Sequence, residues 1–208
     1  MCGIAGLIHR GKSSDVGNEL QLMLQALKHR GPDSTGYALY ADNDGENFIM
    51  RFKVGENVGE GSTSVNEDDS VYDKRKELVD QMLKNLNATV VKEEKLTPYS
   101  YRYEMKYDQD LMEFSKKIES IESVEILSIG KSLELIKDLG DARAVSERYD
   151  LGKVKGTHGI GHARMATESG VDIKSAHPFW GYPFSDVSVV HNGQLTNYWN
   201  NRRVLENK

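Results

Sequence analysis

The sequence opens MCGIAGLI (Met1 to Ile8), and its only cysteine stands directly behind the initiator methionine. Residues 2–8 are apolar, β-branched at Ile4 and Ile8, and interrupted by Gly3 and Gly6. That pattern predicts a buried strand whose backbone passes close to another element at the glycines. A small buried thiol would be the ordinary structural use of Cys2. Its position adds a chemical use. Methionine before a small residue is normally cleaved, which leaves Cys2 carrying a free α-amine. Such an amine has a reference pKa of about 7.7–8.0, so part of it is unprotonated at neutral pH. It can take the proton of its own thiol, and the terminus then supplies nucleophile and base together.

Acyl transfer by that nucleophile needs donors for an oxyanion. HNG (His191 to Gly193), at the end of the strand-like VSVV, offers the Asn192 side-chain amide and the Gly193 N–H. The plain alternative is an ordinary Asn-Gly turn. A substrate carboxylate calls for an arginine held rigidly enough for a forked clamp. Arg164, in GHARMAT (Gly161 to Thr167), follows a glycine-rich strand that would present it. Taken alone, it reads equally well as a surface arginine.

The rest of the composition sets the class. The chain has 208 residues, 38% hydrophobic and 28% charged, with four prolines, which is the composition of a globular protein with a real core. A formal charge of −5 argues against nucleic-acid or anionic-membrane partners. No apolar run approaches the roughly 20 residues of a membrane span, and no signal-peptide pattern opens the chain. One cysteine cannot close an intramolecular disulfide, which fits a reducing, cytoplasmic compartment.

Periodicity organises the remainder. Leu20, Met23, Leu24 and Leu27 predict a helix over 18–29. YALY and NFIMRFKV predict paired strands joined by the turn DNDGE (Asp42 to Glu46). Gly55 to Ser70 is small, polar and acidic, as linkers are. A helix is read over 73–87. Tyr99, Tyr101, Tyr103, Met105 and Tyr107 alternate with Arg102, Glu104 and Lys106, predicting a half-buried strand. A helix follows from Asp108 or Asp110, then a strand in SVEILSIG, a helix in SLELIKDLG and another in DARAVSERY. This strand-helix alternation predicts a small ferredoxin-like α+β insert. The expected organisation is core (1–55), acidic linker and insert (56–155), and core again (156–208).

Four segments in order, MCGIAG (Met1 to Gly6), HRGPDSTG (His29 to Gly36), GIGHARMATESG (Gly159 to Gly170) and HPF with VVHNGQLTN (His177 to Asn197), resemble the N-terminal-nucleophile, or class II, glutamine amidotransferases. They cover roughly half the chain. RMATES, with the intervening insert, is most similar to the stand-alone amidotransferase subunits related to glutamate synthase. The resemblance implies an α+β fold, a four-layer α-β-β-α sandwich of two antiparallel sheets, and hydrolysis of glutamine to glutamate and ammonia. It makes Cys2 the nucleophile and its freed α-amine the base. It gives Arg164 and Thr167 to the substrate α-carboxylate, Asn192 and Gly193 to the oxyanion hole, and His191 to the support of that turn. Arg30, Gly31 and Asp33 match a packing and gating segment. No metal or organic cofactor is implied, and the expected partner is a synthase subunit that accepts ammonia. A homo-oligomer is compatible with the same resemblance. The acidic residue that holds the substrate α-amine in the family is expected beyond Lys208, together with further strands of the sandwich.

Other readings stay open on the residues alone. His158 and His162 are spaced for zinc on a helix, but Gly159 and Gly161 oppose a helix there. The tyrosine face would stack nucleic-acid bases or, more simply, pack a core. The same fold would also serve a non-catalytic assembly subunit, or an amidase for another amide.

Overall fold

The opening stretch forms β1 (Gly3–Ile8) in a computed structural model that describes residues 2–31, 33–43, 45–56, 67–165, 173–193 and 196–207. After β1 come α1 (Val16–Ala26), β2 (Ser34–Ala41), β3 (Phe48–Lys53) and α2 (Asp69–Asn85). Next are β4 (Thr89–Thr97), β5 (Ser100–Lys106), α3 (Leu111–Ile118), β6 (Glu125–Gly130) and β7 (Leu133–Leu139). The chain continues through α4 (Ala142–Arg148), β8 (Gly156–Arg164), β9 (Phe179–Trp180), β10 (Ser188–Val189) and α5 (Tyr198–Glu206).

The strands make two four-stranded antiparallel sheets, ordered β1-β8-β2-β7 and β4-β5-β3-β6, plus a two-stranded ribbon of β9 and β10. This is a mixed α and β fold of the α+β kind. Each sheet buries one face under helices. Val16, Leu20 and Leu24 of α1 and Val145 of α4 pack on Ala5, Tyr37, Leu39 and Ile136 of the first sheet. Val79 and Leu83 of α2, with Phe114 and Ile118 of α3, pack on Met50, Phe52, Tyr101 and Tyr103 of the second. Full burial of a side chain such as Phe114 stabilises the fold by about 1.5–3 kcal/mol. Between the sheets, Ala38, Leu133 and Leu135 of the first meet Leu127 of the second. Asp68, Asp110 and Asp141 cap α2, α3 and α4 by accepting from the backbone N–H of Ser70, Met112 and Ala144. No described helix is long and apolar enough to cross a membrane.

Three expectations are corrected. SLELIKDLG forms β7, although its leucine spacing and Gly140 read as a capped helix. Every residue of β7 is buried, and tertiary partners neutralise its charges, so its polar positions mark no solvent face. Glu134 meets Arg51 and Arg102, Lys137 meets Glu125, and Asp138 meets Arg148. Secondly, β2 and β3 do not pair with each other. The stretch from Ser34 to Leu39 is wholly buried, and β2 takes β7 and β8 as neighbours, while β3 goes to the other sheet. Local turn chemistry around Asp42 could not reveal that choice. Thirdly, residues 56–155 do not close on themselves as a ferredoxin-like unit. β4, β5 and β6 complete the sheet of β3, and β7 completes the sheet of β2, because each sheet needs those strands to cover its apolar face. The tyrosine face of β5 is core: Tyr101, Tyr103 and Met105 are buried.

Candidate active site

The site is built where β1 and β8 begin and end. Their antiparallel register sets Gly3 opposite Ala163, so Cys2, one residue earlier, falls beside Arg164 and Met165. Cys2 is half-buried, with its thiol 4.0 Å from the Met165 carbonyl oxygen. From the far end of the chain, the Asn192 amide Nδ2 donates to the Cys2 carbonyl oxygen at 3.0 Å. The nucleophile candidate and the oxyanion-hole candidate are therefore adjacent.

Arg164 ends β8 and is 8% exposed, which removes the surface-arginine reading. Its backbone is enclosed by the His29 to Gly36 segment. Lys28–Arg30 form a 3-10 turn, and the Asp33 N–H donates to the Arg164 carbonyl oxygen at 3.2 Å. A Cβ on Gly31 would lie 2.5 Å from the Arg164 carbonyl carbon, so only glycine lets the turn approach this closely. Gly31 and Asp33 thus pack against the Arg164 backbone. Gly193 lies under the His191 imidazole, since a Cβ there would sit 3.0 Å from Nε2. Thr167, the second expected carboxylate contact, lies outside the described residues.

Two histidines join the cluster. His162 precedes Arg164 by two on β8 and thus shares its face. It is 2% exposed, its ring centroid is 4.9 Å from that of His177, and among the described residues neither of its ring nitrogens has a hydrogen-bonding partner. Burial, followed by the nearby His177, Arg164 and His191, depresses the His162 pKa to about 4. Burial and His191, Lys137 and Arg164 do the same to His177, also to about 4. Both are neutral at pH 7, so the positive charge of this cluster comes from Arg164, while the nearby Lys137 is paired with Glu125 at 3.1 Å. Sequence reasoning placed His162 in a zinc alternative and His177 only in a motif. The i, i+2 relation to Arg164 was the available signal. Among the described residues there is no group of three or more metal-ligating side chains, and His158 instead stacks on Tyr40 at 3.9 Å.

Cys2, the buried Arg164 and the Asn192–Gly193 pair are thus drawn together from three distant segments of the chain. By comparison of sequences, the chain belongs to the class II glutamine amidotransferases. Over its whole length it is 39% identical to a putative glutamine amidotransferase of Methanothermobacter thermautotrophicus, covering 66% of that protein. Over 99% of its length it is 31% identical to the glutamine amidotransferase-like protein GlxB of Rhizobium meliloti, covering 62% of it. A shorter match, 33% identical over 42% of the chain and 14% of the relative, is to a glutamine–fructose-6-phosphate aminotransferase of Methanococcus maripaludis. The chain thus spans about two thirds of the length of the first two relatives. No family model matches it.

Proposed function

We propose that this chain is the glutamine-hydrolysing part of an amidotransferase, with the four-layer α-β-β-α arrangement of N-terminal-nucleophile hydrolases. The observation that carries the reading is the 3.0 Å bond from Asn192 to the backbone of Cys2, beside buried Arg164. With Met1 removed, the Cys2 α-amine accepts the thiol proton and sulfur attacks the glutamine side-chain carbonyl carbon. The carbonyl π bond opens onto oxygen. That oxyanion is met by the Asn192 amide, which has a second N–H besides the one already used, and by the Gly193 N–H. The protonated α-amine returns its proton to the departing nitrogen, and the C–N bond breaks to release ammonia. Water then attacks the thioester carbon, giving glutamate and the free thiol. Arg164, with Thr167, clamps the substrate α-carboxylate, and the neutral histidines leave its charge unopposed by further cations.

Ammonia released here passes to a glutamate-synthase-like partner subunit, sheltered from water because ammonium is no nucleophile. The domain itself needs no cofactor, and a cytoplasmic setting suits an unpaired thiol. Intact mass before and after incubation with the glutamine analogue 6-diazo-5-oxo-norleucine tests the reading. A chain lacking Met1 that gains one adduct on Cys2, with none in Cys2→Ala, supports it. A processed, folded chain that stays unlabelled overturns it in favour of a non-catalytic subunit.

A further inference from the structure

The ribbon that delivers Asn192 has few backbone hydrogen bonds of its own to hold it. β9 and β10 are two residues each, hydrogen-bonded only to each other among the described strands. An isolated two-stranded hairpin is marginal in water. Yet His177 lies just upstream of this ribbon, one residue from β9, and Asn192 follows just downstream, beyond Val190 and His191.

Asp186, in the loop between the two strands, supplies the anchor. Its Oδ1 accepts from the backbone N–H of Ser132 and of Leu133, both at 2.7 Å, and from Ser132 Oγ at 3.0 Å. Its Oδ2 accepts from the Lys131 N–H at 3.1 Å and from Ser185 Oγ at 2.7 Å. Successive amides converging on one carboxylate make a backbone nest, and bonds to an ionised acceptor are about twice as strong as neutral ones. Lys131 and Ser132 link β6 to β7, and Leu133 opens β7, where the chain crosses from the second sheet to the first. The carboxylate therefore seats the ribbon on the seam between the sheets. Gly130 makes room for it: a Cβ there would lie 2.5 Å from Oδ1. The other ties of this segment to the sheets and helices are the packing of Trp180 against the core, the Lys137 ammonium 4.8 Å from the Phe179 ring centroid, and single neutral bonds such as Tyr40 Oη to Ser188 Oγ at 3.0 Å and Tyr182 Oη to the Met112 carbonyl oxygen at 3.2 Å.

We infer that Asp186 is a positioning residue for the glutamine site, docking the β9–β10 ribbon so that Asn192 meets Cys2. It touches no substrate. Its catalytic consequence rests on the function proposed above, while the docking itself does not. Arg164 is carried by β8, outside the ribbon, so loss of the dock separates oxyanion stabilisation from carboxylate binding.

The experiment uses the full chain as wild type, Asp186→Asn, Gly130→Ala, and Asp68→Ala as a control that removes a helix cap elsewhere. Asp186→Asn keeps size and tolerates the left-handed φ of 59° while removing the charge. Hydrogen exchange is read over 187–193 and over β1 and β8. Glutamine hydrolysis is read as kcat and KM. In Asp186→Asn, exchange over 187–193 should accelerate about tenfold or more while β1 and β8 keep their protection. The kcat should fall about tenfold or more, with KM moving less than about threefold. Gly130→Ala, which pushes on the same carboxylate, should reproduce both effects and serves if Asp186→Asn does not fold. Unchanged exchange over 187–193 overturns the inference. So does a kcat loss no larger than that of Asp68→Ala. A wild type that neither turns over nor is labelled overturns the proposed function instead, and the exchange result still decides the dock.

Discussion

Asn192 donates its side-chain N–H to the main-chain oxygen of Cys2, so residues 190 positions apart share one hydrogen bond at the mouth of the candidate site. Removing an oxyanion donor typically lowers kcat by about 10²–10³. Asn192→Ala should therefore lose most hydrolysis at saturating glutamine, with KM changed little. A KM defect with normal kcat would assign Asn192 to ground-state binding. Steady-state glutamate release measures both constants.

Buried His162 and half-buried His177 tie stability to pH. His162 and His177 have folded pKa values of about 4 against 6.5 in a free chain. The unfolded chain binds more protons between those values, so stability is full above about pH 6.5 and is lost as pH falls toward 4. His162→Leu removes one such proton site and two unbonded ring nitrogens. Its melting temperature should fall less between pH 7 and pH 5 than that of the wild type. Parallel curves would show that His162 is charged or bonded in the fold.

Glu134 lies between two arginines, accepting from Arg51 Nε at 2.8 Å and from Arg102 Nε and Nη2 at 2.9 Å each. Burial would raise its pKa, but Arg51 and Arg102 outweigh that and hold it near 2 instead of 4.5. Glu134→Gln strands the Arg51 guanidinium, leaves Arg102 with the more distant Glu94 at 3.7 Å, and should cost about 3–5 kcal/mol. Urea unfolding at pH 7 would read this as a midpoint about 1 M or more lower. The carboxylate's contribution is full above pH 4.5 and is lost as pH falls toward 2, so the gap from wild type should narrow in acid. A gap independent of pH would contradict the ion-pair account.

Gly31→Ala forces a methyl against the Arg164 backbone. Overpacking of this kind costs about 1–3 kcal/mol. Because the strain falls on the residue proposed to hold the α-carboxylate, KM for glutamine should rise along with the loss of stability. A variant that is destabilised yet keeps its KM would confine Gly31 to packing.

The elements legible in the sequence were those whose signal is local. The alternating tyrosines of β5, the leucine spacing of α1 and the acidic cap of α3 announce themselves within a dozen residues. So do Cys2, Arg164 and the Asn-Gly pair, since each stands in a short motif. The β1 stretch announces a strand, but Ile4 and Ile8, expected to be buried, are exposed because only one face of its sheet edge is covered. β7 was misread because its charged residues are partnered by Arg51, Arg102, Glu125 and Arg148, none of them neighbours in sequence. Asp186 went unnoticed for the same reason: nothing near it in the sequence points to the amides of 131–133.

By itself, then, the sequence determined the inventory and order of chemical groups, along with the strands and helices whose periodicity matches their burial. The tertiary structure alone decided which strands share a sheet, and that Cys2, Arg164 and Asn192 lie together. It also decided that the histidines beside them are neutral. Strand pairing is chosen by the apolar area each face must cover, and proton affinity by how far a group is withdrawn from water. Both are sums over residues distant in the chain, and no short window of sequence contains them.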